Sequence, residues 1–266
     1  MRFFRIERDG TTSYARASQT DELELLSAAP WAGGSGTGVR LPFPLARGAA
    51  SVDGPGIRLL APVDPSKIVC VGRNYAAHAK ELGNEVPSEP LLFLKPPTSL
   101  LGPDAAIVTP PSSQRVEHEA EIGIVIGTRL KSVDESQALR GIFGVTCLND
   151  VTARDLQRKD VQFTRAKSFD TFCPVGPWIE TESALEQLTV TGRVNGVVRQ
   201  SGTVGQMVFP IARLISFISH VMTLEPGDLI ATGTPEGVGP LVAGDVVEIE
   251  VSGVGVLRNT VTSAAR

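Results

Sequence analysis

Cysteine is scarce in this 266-residue chain and never occurs at a paired spacing. The three cysteines, Cys70, Cys147 and Cys173, are odd in number and form no CxxC motif. These features disfavour both a disulfide framework and a zinc site built on thiolates. We therefore expect three reduced thiols in the core of a protein from a reducing compartment.

Long basic runs and long apolar runs are also missing. The net charge is −4, and without a cluster of Lys and Arg the chain lacks the electrostatic footprint of a nucleic-acid-binding protein. No segment approaches the roughly 20 apolar residues of a membrane-spanning helix. The opening MRFFRIERDG lacks the apolar stretch of a signal peptide. The sequence predicts a folded, cytoplasmic protein that binds neither nucleic acid nor a membrane.

Nucleotide-binding motifs are absent as well. The chain contains no Gly-Lys-Ser/Thr and therefore no Walker A loop, and no predicted strand leads into GGSGTG at 33–38. Because a dinucleotide fingerprint needs a strand before its glycines, this segment does not qualify as one. Nucleotide binding is disfavoured.

Short apolar segments separated by turn residues dominate the chain from Ser66 onward and predict strands. They are KIVCV, LLFLK, AAIVTP, HEAEIGIVIG, GIFGVTCL, LTVTGRV, VVRQSG, DLIATG, DVVEIEV and VGVLRNTV. Asn195-Gly196 predicts a type I′ hairpin between two of these strands, since both central residues of that turn need positive φ. Helical patterns are fewer, at 74–82, 133–140, 152–160 and 210–222. The predicted fold class is β-rich α+β.

The first 64 residues differ in pattern from the rest of the chain. They alternate short apolar pieces with the Gly-rich WAGGSGTG and lead into PVDPSK, where Pro62 and Pro65 disfavour regular structure. This predicts a small, irregular N-terminal domain at 1–64 and a main domain at 65–266.

Several carboxylates are spaced as metal ligands would be. Glu117, Glu119 and Glu121 alternate along a strand-like segment that continues into an apolar run, so period two places them on one face. Like charges on a strand that enters the core favour a bound cation, although a solvated strand face is the alternative. Asp150 follows another apolar strand, where a helix N-cap is the alternative. Oxygen ligands without Cys or His favour magnesium, manganese or calcium over zinc.

Candidate acid–base groups lie elsewhere in the chain. His78 and Glu81 are three residues apart on a predicted helix, so the carboxylate can orient the imidazole as a base near neutral pH, or the pair can be an ordinary surface contact. Lys167 lies among half-buried residues and could polarise a carbonyl, with a surface lysine as the alternative. The loop in LIATGTPEGVGP offers amides and hydroxyls to a substrate carboxylate, or it is a structural turn.

Seven ordered segments resemble the fumarylacetoacetate hydrolase family, and they cover nearly all of the chain from about Ser66 to the C-terminus. They are VGRNYAAHAKELG, EPLLFLKP, VEHEAEIGIVIG, CLNDVTARDLQ, AKSFDTFCPVGPW, VNGVVRQSG and LIATGTPEGVG. The greatest likeness is to the small acylpyruvase and oxaloacetate decarboxylase branch of that family, whose short N-terminal region corresponds to residues 1 to about 64.

The resemblance implies a mixed β-sandwich roll with a small N-terminal domain, a homodimer, and Mg²⁺ or Mn²⁺ as cofactor. The family's E-x-E pair and its later aspartate fall on Glu119, Glu121 and Asp150. The same pattern leaves Glu117 out of the metal site.

The resemblance also implies roles for the remaining candidates. The family's His-Glu dyad, carried on a mobile segment that orders over the substrate, falls on His78 and Glu81, and its active-site lysine falls on Lys167. The positions that contact the oxo-carboxylate end of the substrate fall on Arg154, Gln157 and Thr234.

The expected function is a divalent-metal-dependent hydrolase that cleaves a carbon–carbon bond of a 2,4-dioxo acid, of acylpyruvate or fumarylpyruvate type, through an enolate. His78 would deprotonate the attacking water, while the metal and Lys167 would stabilise the enolate. Alternatives that use the same enolate are oxaloacetate decarboxylation or tautomerisation, and isomerisation or hydration in aromatic catabolism. A non-catalytic module that binds 2-oxo acids is the alternative of another class.

Overall fold

A computed structural model describes residues 1–17, 22–43 and 56–264, which form twenty strands and five α-helices. The first ten strands are β1 (Arg2–Arg8), β2 (Thr11–Ala17), β3 (Glu22–Leu26), β4 (Gly36–Pro42), β5 (Ile57–Leu59), β6 (Ile68–Gly72), β7 (Leu91–Lys95), β8 (Leu100–Leu101), β9 (Ala106–Thr109) and β10 (Val116–His118). The others are β11 (Ala120–Ile126), β12 (Ile142–Asn149), β13 (Thr152–Ala153), β14 (Cys173–Glu180), β15 (Thr189–Val194), β16 (Val197–Thr203), β17 (Leu229–Ala231), β18 (Gly239–Pro240), β19 (Val246–Val251) and β20 (Gly255–Ser263).

The helices are short and lie between strands. They are α1 (Ala76–Glu81), α2 (Glu135–Ala138), α3 (Arg154–Lys159), α4 (Thr164–Lys167) and α5 (Ile211–Val221). In α5, Ile211, Leu214, Ile215 and Ile218 are buried at the spacing that places them on one helix face. None of the helices in the described ranges is long and apolar enough to cross a membrane.

Three sheets organise these strands. A large sheet runs β4-β3-β2-β1-β14-β12-β11-β17-β6-β7, with β5 beside β1 and β8 beside β14. A five-stranded sheet runs β16-β15-β19-β20-β9, and a small sheet runs β13-β10-β18. Apolar side chains from the large and the five-stranded sheet share one buried core, among them Ile122, Val145, Val190, Ile249 and Leu257. The β-rich α+β class and the sandwich-like arrangement are therefore confirmed.

The hairpin prediction is confirmed. Val194 pairs with Val197, and the two residues between them, Asn195 and Gly196, have φ angles of 52° and 76°. Both angles are positive, as a type I′ turn requires, and asparagine and glycine adopt such angles most easily.

The predicted continuous strand at RVEHEAEIGIVIG is wrong. Glu119 separates β10, which pairs with β13 and β18, from β11, which pairs with β12 and β17. The backbone N–H of Glu119 donates to Oδ1 of Asn149 at 3.0 Å, a side-chain bond in place of a sheet bond. Glu117 and Glu121 consequently belong to different sheets, which a strict period of two did not allow for.

The N-terminal segment is more regular than its sequence indicated. β1 to β4 form an antiparallel meander, and β1 pairs with β14 through Arg2–Glu180 and Phe3–Ile179, so these strands extend the large sheet. The expectation of irregular structure is wrong for 1–17 and 22–43, while residues 44–55 lie outside the described residues. The division at 64/65 stays a prediction.

One central strand, β14, was not predicted from the sequence patterns. β14 contains Pro174 and Pro177, and proline inside a run normally argues against a central strand. Here seven of its eight residues are buried, and its pairing with β12 is irregular, with a register shift between Val145 and Cys147. The irregular ladder tolerates the missing N–H groups.

Candidate active site

The three carboxylates with metal-ligand spacing come together at one end of a strand pair. Ala120 of β11 pairs with Asn149 of β12, so the residues beside this pair, Glu119, Glu121 and Asp150, are neighbours in space. A second bond fixes the junction, because the N–H of Asp150 donates to the carbonyl of Glu119 at 2.9 Å. One oxygen from each of the three carboxylates lies within 4.8 Å of the other two.

These carboxylates are not surface groups. Each of the three residues is at most 4% exposed, which rules out the solvated strand face. The helix-cap interpretation of Asp150 is also wrong, since α3 begins at Arg154 and its N-cap is Ala153. Both simpler explanations of the pattern therefore fail on the geometry.

Buried cations surround two of the three carboxylates. Lys167 donates to Glu119 Oε2 at 2.9 Å and to Asp150 Oδ2 at 2.6 Å. Lys95 donates to the other oxygen of Asp150 at 2.6 Å, and Arg154 contacts Glu119 Oε1. Burial raises the pKa of Glu119, but Lys167 and Arg154 outweigh it and hold the pKa below its usual range. Glu119 is therefore ionised.

Glu121 has a different environment. The N–H of Gly233 donates to its Oε2 at 2.8 Å, and it forms no ion pair within the described residues. Burial, and then the charges of Asp150 and Glu119, raise its pKa well above the usual range. A hard divalent cation fits here, because it takes oxygen ligands and would offset the repulsion among three buried carboxylates.

Glu117 lies outside this group. Its carboxylate contacts Arg115 and accepts from Arg154 Nε at 2.7 Å, and the residue is buried. Two guanidinium groups thus neutralise it in the small sheet. Arg154 links the two clusters, because the same side chain contacts both Glu117 and Glu119.

His78 and Glu81 form the expected pair on α1. Nδ1 of His78 lies 3.4 Å from Glu81 Oε2, and the same carboxylate accepts the Gly237 N–H at 3.0 and 3.2 Å. The start of the helix is tied down by Asn74, whose side-chain amide donates to the carbonyls of Thr232 at 2.8 Å and Phe209 at 3.2 Å. His78 is buried, whereas Glu81 is partly open to solvent.

A cavity of about 290 Å³ joins these groups, a size suited to a small ligand. Its lining includes all but one of the candidate residues; the exception is Glu81, which contacts the lining residue His78. Those that line it are His78, Glu119, Glu121, Asp150, Arg154, Gln157, Lys167 and Thr234. Residues from four separate segments therefore meet at one small cavity.

Comparison with known proteins decides the family. A family model described as fumarylacetoacetate (FAA) hydrolase C-terminal matches residues 67–262. The chain belongs to this family. Its members are enzymes, and the earlier resemblance is confirmed.

Individual relatives extend the family match. An oxaloacetate decarboxylase from Dictyostelium discoideum is 45% identical over 194 residues, which are 70% of this chain and 89% of that protein. The human oxaloacetate tautomerase FAHD2A is 43% identical over 218 residues, 77% of this chain and 69% of that protein. A 5-carboxymethyl-2-hydroxymuconate delta-isomerase structure from Mycobacterium smegmatis is 42% identical, with a TM-score of 0.88 and coverage of 99% of this chain and 100% of that one.

Lys167 is more buried than its sequence context indicated. The residue is 2% exposed rather than half-buried, and its ammonium lies 5.0 Å from the centre of the Phe93 ring. Burial lowers its pKa, but Asp150 and Glu119 outweigh that effect and raise the pKa above its usual value. The side chain is therefore an ammonium at the base of the cavity.

The three expected substrate contacts differ in how much of their bonding capacity is free. Arg154 contacts Glu117, Glu119 and Gln157. The Thr234 hydroxyl donates to the carbonyl of Ala120 at 2.9 Å and accepts from the side-chain amide of Gln200 at 2.7 Å. Its single proton is committed, so this hydroxyl can only accept a further bond.

Lys95 and Gln200 were not identified by sequence reasoning. Lys95 is 1% exposed and holds Asp150; the available signal was a lysine ending the apolar strand LLFLK just before a proline. Gln200 is equally buried, and its Oε1 accepts from the N–H of Ala120 at 2.9 Å and bonds His118 Nδ1 at 2.8 Å. No local pattern marks this glutamine.

Proposed function

We propose that this chain is a divalent-metal-dependent enzyme that acts on a small 2-oxo acid through an enolate. The observation that carries the proposal is the shared cavity, where three buried carboxylates and a histidine face one small volume. Glu119, Glu121 and Asp150 would hold Mg²⁺ or Mn²⁺, in keeping with their oxygen-only ligand set. When bound, the metal would supply Lewis acidity to the 2-oxo acid group of the substrate.

The protein's own groups supply the rest of the chemistry. The Lys167 ammonium, fixed beside two metal-ligand carboxylates, would stabilise negative charge that develops on the 2-oxo oxygen. His78, oriented by Glu81, would take or return a proton at the reacting carbon or at a water molecule. Arg154, Gln157 and Thr234 would position the oxo-carboxylate end, with Thr234 acting as an acceptor or through its backbone.

Hydrolysis of a 2,4-dioxo acid is one reaction that this arrangement supports. His78 would remove a proton from water, whose oxygen bonds to the distal carbonyl carbon. The bond between that carbon and C3 then breaks, and its electron pair forms the enolate of pyruvate. Protonation at C3 gives pyruvate, and the distal fragment leaves as a carboxylic acid.

Oxaloacetate chemistry is the second candidate, favoured by relatives 43–45% identical that are named as an oxaloacetate tautomerase and an oxaloacetate decarboxylase. In tautomerisation, His78 would take a proton from C3 to give the enolate, whose oxygen then gains a proton from solvent to form the enol; the reverse steps return the oxo form. In decarboxylation, loss of CO₂ leaves the same pyruvate enolate, which is then protonated at C3. The isomerase name of the mycobacterial structure fits the same intermediate.

A substrate panel tests the proposal. Acetylpyruvate, fumarylpyruvate and oxaloacetate are incubated with enzyme and Mg²⁺, and separately with EDTA, and products are identified by NMR. We expect turnover with Mg²⁺ and its loss with EDTA; an equal rate in EDTA would contradict the metal assignment. Binding of all three acids without conversion would instead establish the non-catalytic module.

His78→Ala tests the base, with His220→Ala as the matched control. His220 lies on α5 outside the cavity, where its Nδ1 contacts the carbonyl of Ser216 at 2.9 Å. General-base catalysis typically contributes about 100- to 10,000-fold, so His78→Ala should lose activity on that scale and the control should not. An unchanged rate in His78→Ala would refute the role of the dyad.

We also propose a homodimer, which light scattering would test.

A further inference from the structure

Two arginines on the wall of the cavity are unlike its other cations. Arg154 and Lys167 are each engaged by carboxylates. Arg73 and Arg158 also line the cavity, yet within the described ranges neither side chain forms a hydrogen bond or an ion pair. Their guanidinium groups are therefore available to an anion that enters the cavity.

Arg73 is held in an unusual backbone conformation. It follows β6 directly, is half-buried, and has a φ of 58°, in the left-handed region. An L-residue with a Cβ enters this region at a steric cost that glycine does not have. Such backbone outliers are enriched at active sites and ligand-binding positions.

The acidic groups that line the described part of the cavity are all carboxylates of the proposed metal site. Among the described residues, its only acidic lining groups are Glu119, Glu121 and Asp150. The first and last are bound by ammonium groups, and the proposed metal would bind all three. A 2-oxo acid held by that metal would place its proximal carboxylate there, and Arg73 and Arg158 are the lining cations whose side chains stay unpaired for its distal end.

We propose that Arg73, with Arg158 nearer the solvent, selects substrates that carry a second carboxylate at the end distal to the 2-oxo acid. This inference rests on the proposed function, because the metal is what orients the proximal end. A guanidinium matches a carboxylate through two parallel hydrogen bonds, and such charge-assisted bonds are stronger than neutral ones. The substrate class would be 2-oxo dicarboxylates rather than simple acylpyruvates.

Binding of matched acids tests this selectivity without requiring turnover. 2-Oxovalerate and 2-oxoglutarate have the same chain length and differ at the distal end, a methyl group against a carboxylate. In calorimetry with saturating Mg²⁺, we expect the wild type to bind the dianion at least about 10-fold more tightly, and Arg73→Gln to lose most of that preference. Arg129→Gln, at an ion pair with Glu225 outside the cavity, is the control and should keep it.

Several results would overturn the proposal. They are equal affinities in the wild type, no binding of either acid, or a preference that survives Arg73→Gln. If the preference behaves as expected while no acid of the substrate panel is converted, the proposed enzymatic function fails and the dianion site stands. The two failures are therefore distinguishable.

Arg73→Gly separates selectivity from folding. Glycine adopts a φ of 58° without a Cβ penalty, so the melting temperature should stay equal or rise. The same variant should lose the preference for the dianion, and kcat/KM for oxaloacetate should fall at least about 10-fold relative to acetylpyruvate. A parallel fall for both substrates would count against distal recognition by Arg73.

Discussion

Removing the Lys95 ammonium gives a direct test of how charge is balanced beneath the cavity. Lys95 and Asp150 form a fully buried pair at 2.6 Å, and loss of one partner from such a pair costs about 3–5 kcal/mol. Asp150 would keep its contact with Lys167, so we expect the lower end of that range for Lys95→Met. A loss of about 3 kcal/mol in the free energy of unfolding corresponds to a fall in melting temperature of roughly 6–12 °C, measured with EDTA present.

Mg²⁺ should reverse part of this loss. A dication bound by Glu119, Glu121 and Asp150 neutralises the carboxylate that Lys95 no longer holds, so the rise in melting temperature on adding Mg²⁺ should be larger in Lys95→Met than in the wild type. Lys67→Met is the matched control, because Lys67 pairs with the buried Asp228 away from the cluster. The fall in melting temperature caused by Lys67→Met should be the same with and without Mg²⁺. Equal Mg²⁺ responses in the wild type and Lys95→Met would refute the reasoning.

Two further predictions concern a half-buried carboxyl and a glycine. Burial raises the pKa of Glu180, but the N-terminal ammonium of Met1 at 2.6 Å and the N–H of residue 182 outweigh it and lower the pKa. The unfolded state therefore binds the proton of Glu180 more readily than the folded state does. The stabilisation that Glu180 contributes is fully present above the usual carboxyl pKa and is lost as the pH falls through its lowered pKa in the folded state. Urea midpoints from pH 6 to 3 should therefore decline less steeply in Glu180→Gln. A Cβ at Gly237 would lie 1.9 Å from a backbone oxygen, so Gly237→Ala should displace the amide that holds Glu81 and lower kcat, whereas Gly239→Ala, with its nearest atom at 3.6 Å, should not.

Local sequence patterns predicted the groups that lie at strand and helix ends. The alternating Glu117, Glu119 and Glu121 and the terminal Asn149-Asp150 could be found because they interrupt otherwise apolar strands, while the family resemblance was needed to leave Glu117 out of the metal site. The hairpin at Asn195-Gly196 was predictable for the same reason, since two adjacent residues determine its geometry. Features that a few neighbouring residues determine can be predicted from the sequence without knowledge of the fold.

Features that depend on remote contacts were not readable. Lys95 is recognisable as a site residue only through its hydrogen bond to Asp150, 55 residues away. Gln200 is recognisable only through its bond to Ala120, 80 residues away. The strand break at Glu119 depends on the side chain of Asn149, which takes the N–H that a sheet neighbour would otherwise bond. In each case a hydrogen bond across the fold, and not local propensity, determines the structure.

The charges around the cavity also predict the order in which ligands bind. Four buried carboxylates, Glu117, Glu119, Glu121 and Asp150, face three buried cations, Lys95, Arg154 and Lys167, with Arg115 at the surface completing the balance. With all four carboxylates ionised these charges sum to zero, and the raised pKa of Glu121 leaves at most one positive charge here before a metal binds.

A dication adds two positive charges there, so affinity for a 2-oxo acid should depend on the metal. 2-Oxovalerate isolates this effect, because it has no distal carboxylate for Arg73 to bind. In calorimetry we expect measurable binding with Mg²⁺ and at least about a 10-fold loss with EDTA, since a charge-assisted contact of this kind is worth more than 1.4 kcal/mol. Mg²⁺ itself should bind without the acid, which fixes the order as metal first. Equal affinity for 2-oxovalerate in EDTA would show that the internal cations suffice, and the metal would then have no part in holding the oxo-carboxylate.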